Sequence, residues 1–179
     1  MSAGERAISQ CEIQDVFLLE ADCKVSSEFN PTQQWQSIAF QHKWRIEPKV
    51  LVQSRKPIDV KSEDIHILRY FVVGEARYLP ESLAKSTVED VTKQECIATF
   101  SLKFAADYKC PQSFLSDVDA IGAFAKNAAF HVWPYWREAL SDWAGRCRLP
   151  RITLPIVSPK ELDQAMWTLS QDEGAVGER

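Results

Sequence analysis

The chain has 179 residues, which is enough for one ordinary domain with a substantial core and short for two. Its 21 basic and 25 acidic residues give a formal net charge of -4, and no run of Lys or Arg is dense enough to line a phosphate backbone, so nucleic acid is not expected as a partner. The apolar runs are far shorter than a membrane span, and residues 1–10 hold no apolar signal segment. We therefore expect a cytoplasmic protein without membrane insertion, and we treat residues 1–179 as a single domain whose ends, 1–10 and 171–179, are flexible.

Neither the cysteines nor the glycines of the chain form a cofactor motif. The five cysteines are scattered without a CxxC pair, which indicates free, mostly buried thiols. The six glycines include no GxGxxG or GxxxxGK arrangement, so work driven by ATP is not predicted. The three histidines lie in separate segments, so no metal site is predicted and no cofactor is expected.

Four segments alternate apolar and polar residues with the period of two that is typical of half-buried strands. The first begins at Phe17, where apolar residues at odd positions alternate with Glu20, Asp22 and Lys24, and the second begins at Ile38 and is expected to bend or end at Pro48. The third, residues 65–73, is apolar on both faces, which favours either a central strand or a strand at a subunit interface. The fourth, residues 96–106, has one polar face and is expected to face water on that side.

After Pro111 the apolar residues recur with the period of a helix, and Asp117 is suited to cap its start. Pro134 either opens a new helix or kinks a longer one that begins near Asp117. Gly145 is expected to take the left-handed conformation that ends this helix. One face of the segment carries large apolar side chains that are expected to be core: Trp133, Trp136, Leu140 and Trp143.

A second, shorter helix is predicted after the sequence Ser158-Pro159-Lys160-Glu161, which has the pattern of a capped helix start. Four strands followed by two helices, with no alternation of strand and helix, predict an α+β fold. We expect a four-stranded antiparallel meander sheet with the two C-terminal helices packed on one face.

Three large aromatic residues occur where a core has little use for them. Phe29 and Trp35 bracket the loop that contains Asn30-Pro31, and Trp167 lies on the short C-terminal helix. These positions favour an exposed apolar groove.

A catalytic interpretation rests on His131, which could act as a general base for Cys147 or Cys110 in a nucleophilic pair. A lone histidine near a helix start and a cysteine at a helix end are more often packing or solvent-facing residues. A Cys/His hydrolase is therefore kept as a remote alternative, and the chain is not expected to be an enzyme.

Residues 130–155 carry a motif with a recognisable order. The sequence Trp133-Pro134-Tyr135-Trp136-Arg137-Glu138 is followed by Asp142, Gly145-Arg146, Leu149-Pro150 and Leu154-Pro155. An aromatic helix, a short turn and an extended segment rich in Pro and Leu resemble the SecB-type protein-export chaperones. The resemblance also reaches Ile13-Gln14 in the first strand and Trp35-Gln36 before the second.

The resemblance implies a four-stranded antiparallel sheet with two helices, assembled as a homotetramer that is a dimer of dimers. Chaperones of this family hold unfolded polypeptides or preproteins without ATP during protein export, and this is the expected function. Apolar grooves would bind these clients through Phe29, Trp35, Leu162, Met166, Trp167 and Leu169. Subunit contacts would be made by Leu68, Tyr70, Val72, Trp133, Trp136 and Trp143.

Two further partners follow from the resemblance. Family members that deliver cargo to the SecA motor use acidic residues on the solvated sheet face, where Glu20 matches one such position and Lys24 occupies a second. Other relatives are dedicated chaperones for the antitoxin of a toxin–antitoxin system, and this is the alternative function. SecA and an antitoxin are therefore both candidate partners.

Overall fold

The computed structural model describes residues 11–32, 38–52, 66–83, 85–86, 92–93, 95–151 and 154. A 3-10 turn, Glu81–Leu83, follows the third strand. The predicted helix after Ser158 lies outside the described residues. The elements, in chain order, are β1 (Glu12–Val25), β2 (Ile38–Val52), β3 (His66–Pro80), β4 (Ala98–Cys110), α1 (Gln112–Leu115) and α2 (Val118–Arg146).

The four strands form one antiparallel sheet in the order β1-β4-β3-β2, so the predicted antiparallel sheet is confirmed. The strands β2, β3 and β4 are a meander, but β1 pairs with β4 rather than with its neighbour in sequence. This is a Greek-key order, which alternation along single strands cannot distinguish from a simple meander. Among the described residues, β1 and β2 are therefore the two edges of the sheet, and β3 is central.

The strand β2 continues beyond Pro48, where the sequence indicated a bend or an end. Pro48 lies opposite Tyr70 of β3, and the pairing runs on to Val52 opposite His66. Proline has no N–H to donate, so a sheet accepts it on an edge strand. The edge position of β2 explains why the strand is not interrupted.

The strand β1 departs from the predicted alternation because its pairing shifts between Leu18 and Glu20. Before the shift, Phe17 lies opposite Ala105, on the face of the sheet away from α2. After it, Ala21 lies opposite Leu102, whose side chain belongs to the core beneath α2. Such a bulge moves the following side chains to the other face.

The helix α2 is a single element of 29 residues with Pro134 inside it, so the longer of the two predicted helices is the one formed. Its start is capped as predicted, because the Asp117 carboxylate accepts a hydrogen bond from the Ala120 N–H at 2.9 Å. The end differs from the prediction: Arg148, with φ of 55°, takes the left-handed conformation, and Gly145 remains helical.

The turn after α2 is a Schellman motif. The Arg148 N–H donates to the Gly145 carbonyl at 3.1 Å, and the Leu149 N–H donates to the Ala144 carbonyl at 2.9 Å. Leu149 is buried, which supplies the apolar contact that accompanies this motif. Burial of Leu149 therefore stabilises the helix end, and the left-handed position is taken by Arg148 and not by a glycine.

Tyrosine hydroxyls attach the sheet to α2 and to the segment after it. The Tyr70 hydroxyl donates to the Ile121 carbonyl at 2.7 Å, and the Tyr78 hydroxyl donates to the Pro150 carbonyl at 3.1 Å. The Tyr108 hydroxyl lies 2.8 Å from Nδ1 of His131. Because buried hydroxyl groups need partners, these bonds fix where α2 crosses the sheet.

Three tryptophans form the densest part of the core. The ring centroids of Trp44 and Trp136 are 4.5 Å apart, and those of Trp44 and Trp133 are 5.0 Å apart. Gly74 of β3 makes room for them, because a Cβ there would lie 2.6 Å from Cδ1 of Trp136. The apolar stripe of α2 is thus core, as its spacing predicted.

Candidate peptide-binding surface

Of the six residues expected in apolar grooves, the structure describes only Phe29. Its side chain is half-buried against the main core, just after β1. The Phe29 N–H donates to the Ser26 carbonyl at 3.1 Å, and the Ser26 N–H donates to the Ile97 carbonyl at 2.9 Å. This turn is therefore anchored beside β4. The other five fall outside the described residues: Trp35, Leu162, Met166, Trp167 and Leu169.

The six residues expected at subunit contacts lie mainly inside the chain's own core. Leu68, Tyr70 and Val72 have no exposed surface, since they face α2 from the central strand. Contact with another subunit through these three side chains would require α2 to move away from the sheet. The remaining three are two buried residues and one half-buried residue: Trp133, Trp136 and Trp143.

Among the side chains that the structure describes, the exposed large apolar residues of the sheet are all on β1, which sequence reasoning did not single out as a site. Ile13, Leu18, Leu19 and Val25 are each between 37% and 44% exposed. Leu18 lies opposite Phe104 on the face that α2 covers, yet it remains accessible. We call these four residues the β1 apolar edge. The pair Leu18-Leu19 is visible in the sequence at this place, but it does not by itself indicate a bulge or an edge position.

The opposite edge of the sheet has different chemistry. On β2, Lys43 forms an ion pair with Glu75 at 2.8 Å, and Arg45 forms one with Glu47 at 3.1 Å. Pro48 also interrupts the row of backbone donors on this strand. Charge and proline are common means of protecting an edge strand from added strands. Ion pairs also occur on β1, so the difference between the edges is that β1 has no proline and carries the exposed large apolar side chains of the described sheet. On that ground β1 is the more receptive edge.

An edge strand forms backbone hydrogen bonds with a neighbouring strand on one side only. In the part of the chain that the structure describes, β1 pairs only with β4. Its other side can offer hydrogen bonds to an extended chain, while its exposed apolar side chains offer contacts with alternate residues of that chain. This combination suits an extended apolar peptide.

The sheet face away from α2 is covered by charged side chains. Arg69 makes two hydrogen bonds of 2.6 Å to the Asp107 carboxylate and lies over the ring of Phe17, and Lys103 lies over the ring of Phe71. The Asp107 carboxylate and burial act in opposite directions on the Arg69 guanidinium, and the hydrogen bond dominates, so the pKa of Arg69 is raised. The second apolar face predicted for β3 is thus covered by cationic side chains.

Glu20, the candidate contact for a motor protein, lies on this same face. It lines a shallow depression of about 650 Å³ and is exposed, with its carboxylate 3.9 Å from the Lys103 ammonium. Lys43 and Glu75 also line the depression, so the two signs of charge are mixed there. An exposed pair at this distance contributes little to stability.

The groups proposed for catalysis are not brought together. Nδ1 of His131 is hydrogen-bonded to the Tyr108 hydroxyl, while Cys110 contacts Cys11 and Cys147 contacts Cys23. Burial lowers the pKa of His131 and raises the pKa of Tyr108. A protonated phenol donating to a neutral imidazole agrees with both shifts, and it gives His131 a structural partner.

Within the described ranges, no group of three or more His, Cys, Asp or Glu side chains could hold a metal ion. No helix found there is long and apolar enough to cross a membrane.

The sheet order and the long C-terminal helix form a SecB-like α+β fold, so the resemblance read from the sequence is confirmed at the level of the fold. The structure is similar to that of the SecB-like chaperone Rv1957 of Mycobacterium tuberculosis, which was solved in complex with a ChAD peptide from the HigA1 antitoxin, Rv1956. The TM-score is 0.57 at 23% sequence identity, over 87% of this chain and 96% of that one. No family model and no curated protein matches the chain.

Proposed function

We propose that this chain is an ATP-independent, SecB-like chaperone dedicated to the antitoxin of a toxin–antitoxin pair. The observation that supports it is the β1 apolar edge, an exposed row of large apolar side chains on a strand whose partner among the described residues lies on one side only. An aggregation-prone segment of a client offers the complementary features, namely apolar side chains and unpaired backbone groups.

The mechanism is strand addition. A client segment lies beside β1 and its backbone amides and carbonyls bond to those of the strand, which requires no particular sequence. Alternate client side chains pack against Ile13, Leu18 and Leu19, which removes apolar surface from water on both partners. Because binding needs no chemical step, release follows from dissociation or from folding of the client.

An antitoxin is favoured over preproteins in general because the SecB-like chaperone of similar fold was solved with an antitoxin peptide. Export of preproteins with delivery to SecA remains the second candidate. Glu20 is exposed on the sheet face where such a contact would lie, but its neighbour Lys103 offsets its charge. A surface of mixed charge gives weak electrostatic complementarity to any one motor.

The expected groove extends this proposal to residues beyond β1. Phe29 lies at the end of β1 and would continue the apolar surface along the strand direction. The groove would be completed by Trp35, Leu162, Met166, Trp167 and Leu169. Assembly into a homotetramer would multiply such sites on one particle, so that weak contacts add through effective concentration.

The test is direct binding of a fluorescent ChAD peptide from HigA1, and of an alternating apolar peptide, to the full chain. We expect the double substitution Leu18→Lys/Leu19→Lys to weaken binding by about tenfold or more, because the two half-exposed side chains together supply apolar contact worth roughly 1.5 kcal/mol or more. Val118→Lys is the matched control, since Val118 is an exposed apolar residue on α2 that is 78% accessible.

Failure has a clear form. If neither peptide binds, or if Val118→Lys weakens binding as much as the β1 substitution, the proposed surface is wrong. Competition then separates the two functions: displacement of bound ChAD peptide by several unrelated unfolded proteins would contradict a dedicated chaperone and favour the general one. Light scattering of the free chain gives the number of subunits.

A further inference from the structure

Four of the five cysteines meet in two pairs, and each pair includes one residue of the β1 region. The sulfur atoms of Cys11 and Cys110 are 2.8 Å apart, and those of Cys23 and Cys147 are 3.4 Å apart. All four are free thiols. Cys11 immediately precedes β1 and Cys23 lies near its other end, so the two pairs bracket the strand.

The first pair follows from the register of the sheet. Glu12 lies opposite Lys109, so Cys11 and Cys110 are the next residues along the two antiparallel chains. Directly opposed residues in such a pair place their Cβ atoms within about 4.5–5.5 Å, close to the separation that a disulfide spans. Little backbone movement is therefore needed to join these sulfurs.

The second pair follows from the end of α2. Cys147 is the residue that caps the helix, and its N–H donates to the Trp143 carbonyl at 3.0 Å. Cys23 lies opposite Phe100, on the face of β1 that is turned toward α2. The Schellman turn fixes Cys147 above that face. The two sulfurs meet because the helix end packs against the strand.

We propose that these four cysteines are an oxidation site, at which a hydroperoxide converts the pairs Cys11–Cys110 and Cys23–Cys147 into two reversible disulfides. The cross-links would join β1 to the end of β4 at one end and to the end of α2 at the other. This inference does not depend on the proposed chaperone function.

The chemistry balances with a hydroperoxide as the two-electron oxidant. The Cys11 thiolate attacks one peroxide oxygen; an S–O bond forms, the O–O bond breaks, and the alcohol or water leaves with a proton. The Cys110 sulfur then attacks the sulfenic acid; the S–S bond forms, the S–O bond breaks, and the hydroxide leaves as water with the Cys110 proton. Two thiols are oxidised and one peroxide is reduced. The second pair reacts in the same way.

The first pair is arranged for reaction. The hydrogen bond that Cys110 donates lowers the pKa of Cys11, and burial opposes this effect less strongly. The same contact, together with burial, raises the pKa of Cys110, which keeps that thiol protonated as the donor. Burial and the Cys147 contact raise the pKa of Cys23 to about 12. Because the thiolate is the nucleophile, we expect Cys11–Cys110 to form first.

The test treats the reduced full chain with hydrogen peroxide, blocks remaining thiols under denaturing conditions and measures intact mass and peptide maps. We expect the loss of the mass of four hydrogen atoms, one blocked thiol, the two stated linkages, and full reversal by dithiothreitol. The midpoint of thermal unfolding should rise by roughly 5–15 °C on oxidation, since each cross-link restricts the unfolded chain.

Matched variants identify the pairs. Cys11→Ser should retain only Cys23–Cys147, and Cys23→Ser should retain only Cys11–Cys110. Cys96→Ser is the control and should form both disulfides, because the Cys96 thiol contacts the Thr92 carbonyl at 3.5 Å and, in the described part of the chain, makes no bond to another sulfur. Five blockable thiols after oxidation, a single disulfide in the unaltered chain, linkages between chains, or sulfinic acid in place of disulfides would each overturn the proposal.

Discussion

At the scale of single residues, the turn at Arg148 shows that packing can place the left-handed conformation at a residue other than the nearby glycine. A left-handed residue costs little at glycine and about 1–2 kcal/mol at other residues, which is why Gly145 was the sequence-based choice. Burial of Leu149 requires α2 to continue past that glycine before it turns. The strain of the left-handed conformation at Arg148 is offset because this turn lets Leu149 pack into the core.

The strain at Arg148 should be recoverable. We expect Arg148→Gly to raise the free energy of unfolding by about 0.5–1 kcal/mol, because glycine adopts positive φ without a steric penalty although it costs more backbone entropy. Urea unfolding of the reduced chain measures the change. Arg148→Ala is the control for loss of the side chain, and a gain in that variant equal to the glycine variant would argue against strain.

Gly74 is the other residue whose identity the structure explains. We expect Gly74→Ala to lower the free energy of unfolding by about 1–3 kcal/mol, since the added Cβ would overlap the Trp136 ring and the packed cluster has no space to yield. Gly122, where an added Cβ meets nothing within 4 Å, is the matched control, and Gly122→Ala should not destabilise the chain. Equal losses in both variants, measured by urea unfolding, would contradict the packing argument.

At the scale of elements, the contact between β4 and α2 includes a titrating group. Tyr108 of β4 and His131 of α2 share a hydrogen bond of 2.8 Å that needs an unprotonated Nδ1 if the phenol donates. The Tyr70 hydroxyl, in contrast, joins the sheet to α2 by a bond to the Ile121 carbonyl, which does not change between pH 5 and 8. The contact between Tyr108 and His131 therefore makes the attachment of α2 sensitive to mild acid. His42 of β2, whose pKa burial lowers and whose ring packs against Trp133 and Trp136, is a second such group.

The pH dependence has a definite sign. Burial lowers the pKa of His131 in the folded chain below its ordinary value of about 6.5, so the unfolded chain binds more protons in mild acid. The stability that this residue contributes is fully present above that value and falls as the pH drops through the folded pKa. Urea unfolding at pH 8, 7, 6 and 5 should show a smaller decrease for His131→Gln than for the unaltered chain. Parallel curves for the two proteins would contradict this role.

Some of the strands and helices could be predicted from the spacing of apolar residues alone. Strand and helix positions followed from the spacing of apolar residues, and the long helix through Pro134 was one of two stated alternatives. The bulge after Leu18 could not be predicted, because a one-residue shift depends on pairing with β4 and not on β1 itself. The course of β2 past Pro48 likewise depends on its being an edge, which only the strand order reveals.

At the scale of the whole molecule, the sequence motif in residues 130–155 predicted the fold class, while the Greek-key order required the structure. The candidate site was harder to predict. Of the six residues expected in the groove, five lie outside the described residues, whereas the exposed surface found on β1 is made by ordinary aliphatic residues such as Leu19. The exposure of these side chains depends on which strand lies at the edge of the sheet, and the types of residue in a strand do not determine that.

The difference between the two edge strands, β1 and β2, limits how far the sheet can be extended by strands from other copies of the chain. A fibril requires every copy to receive a strand on one side and to donate one on the other, so both rims must be usable. Here β2 carries Pro48 among its backbone donors, and the exposed large apolar side chains of the sheet, among the residues described, lie on β1. Once a strand has added to β1, the remaining edge, β2, is less suited to a further addition. The molecule can therefore expose an apolar edge strand to water without starting a fibril.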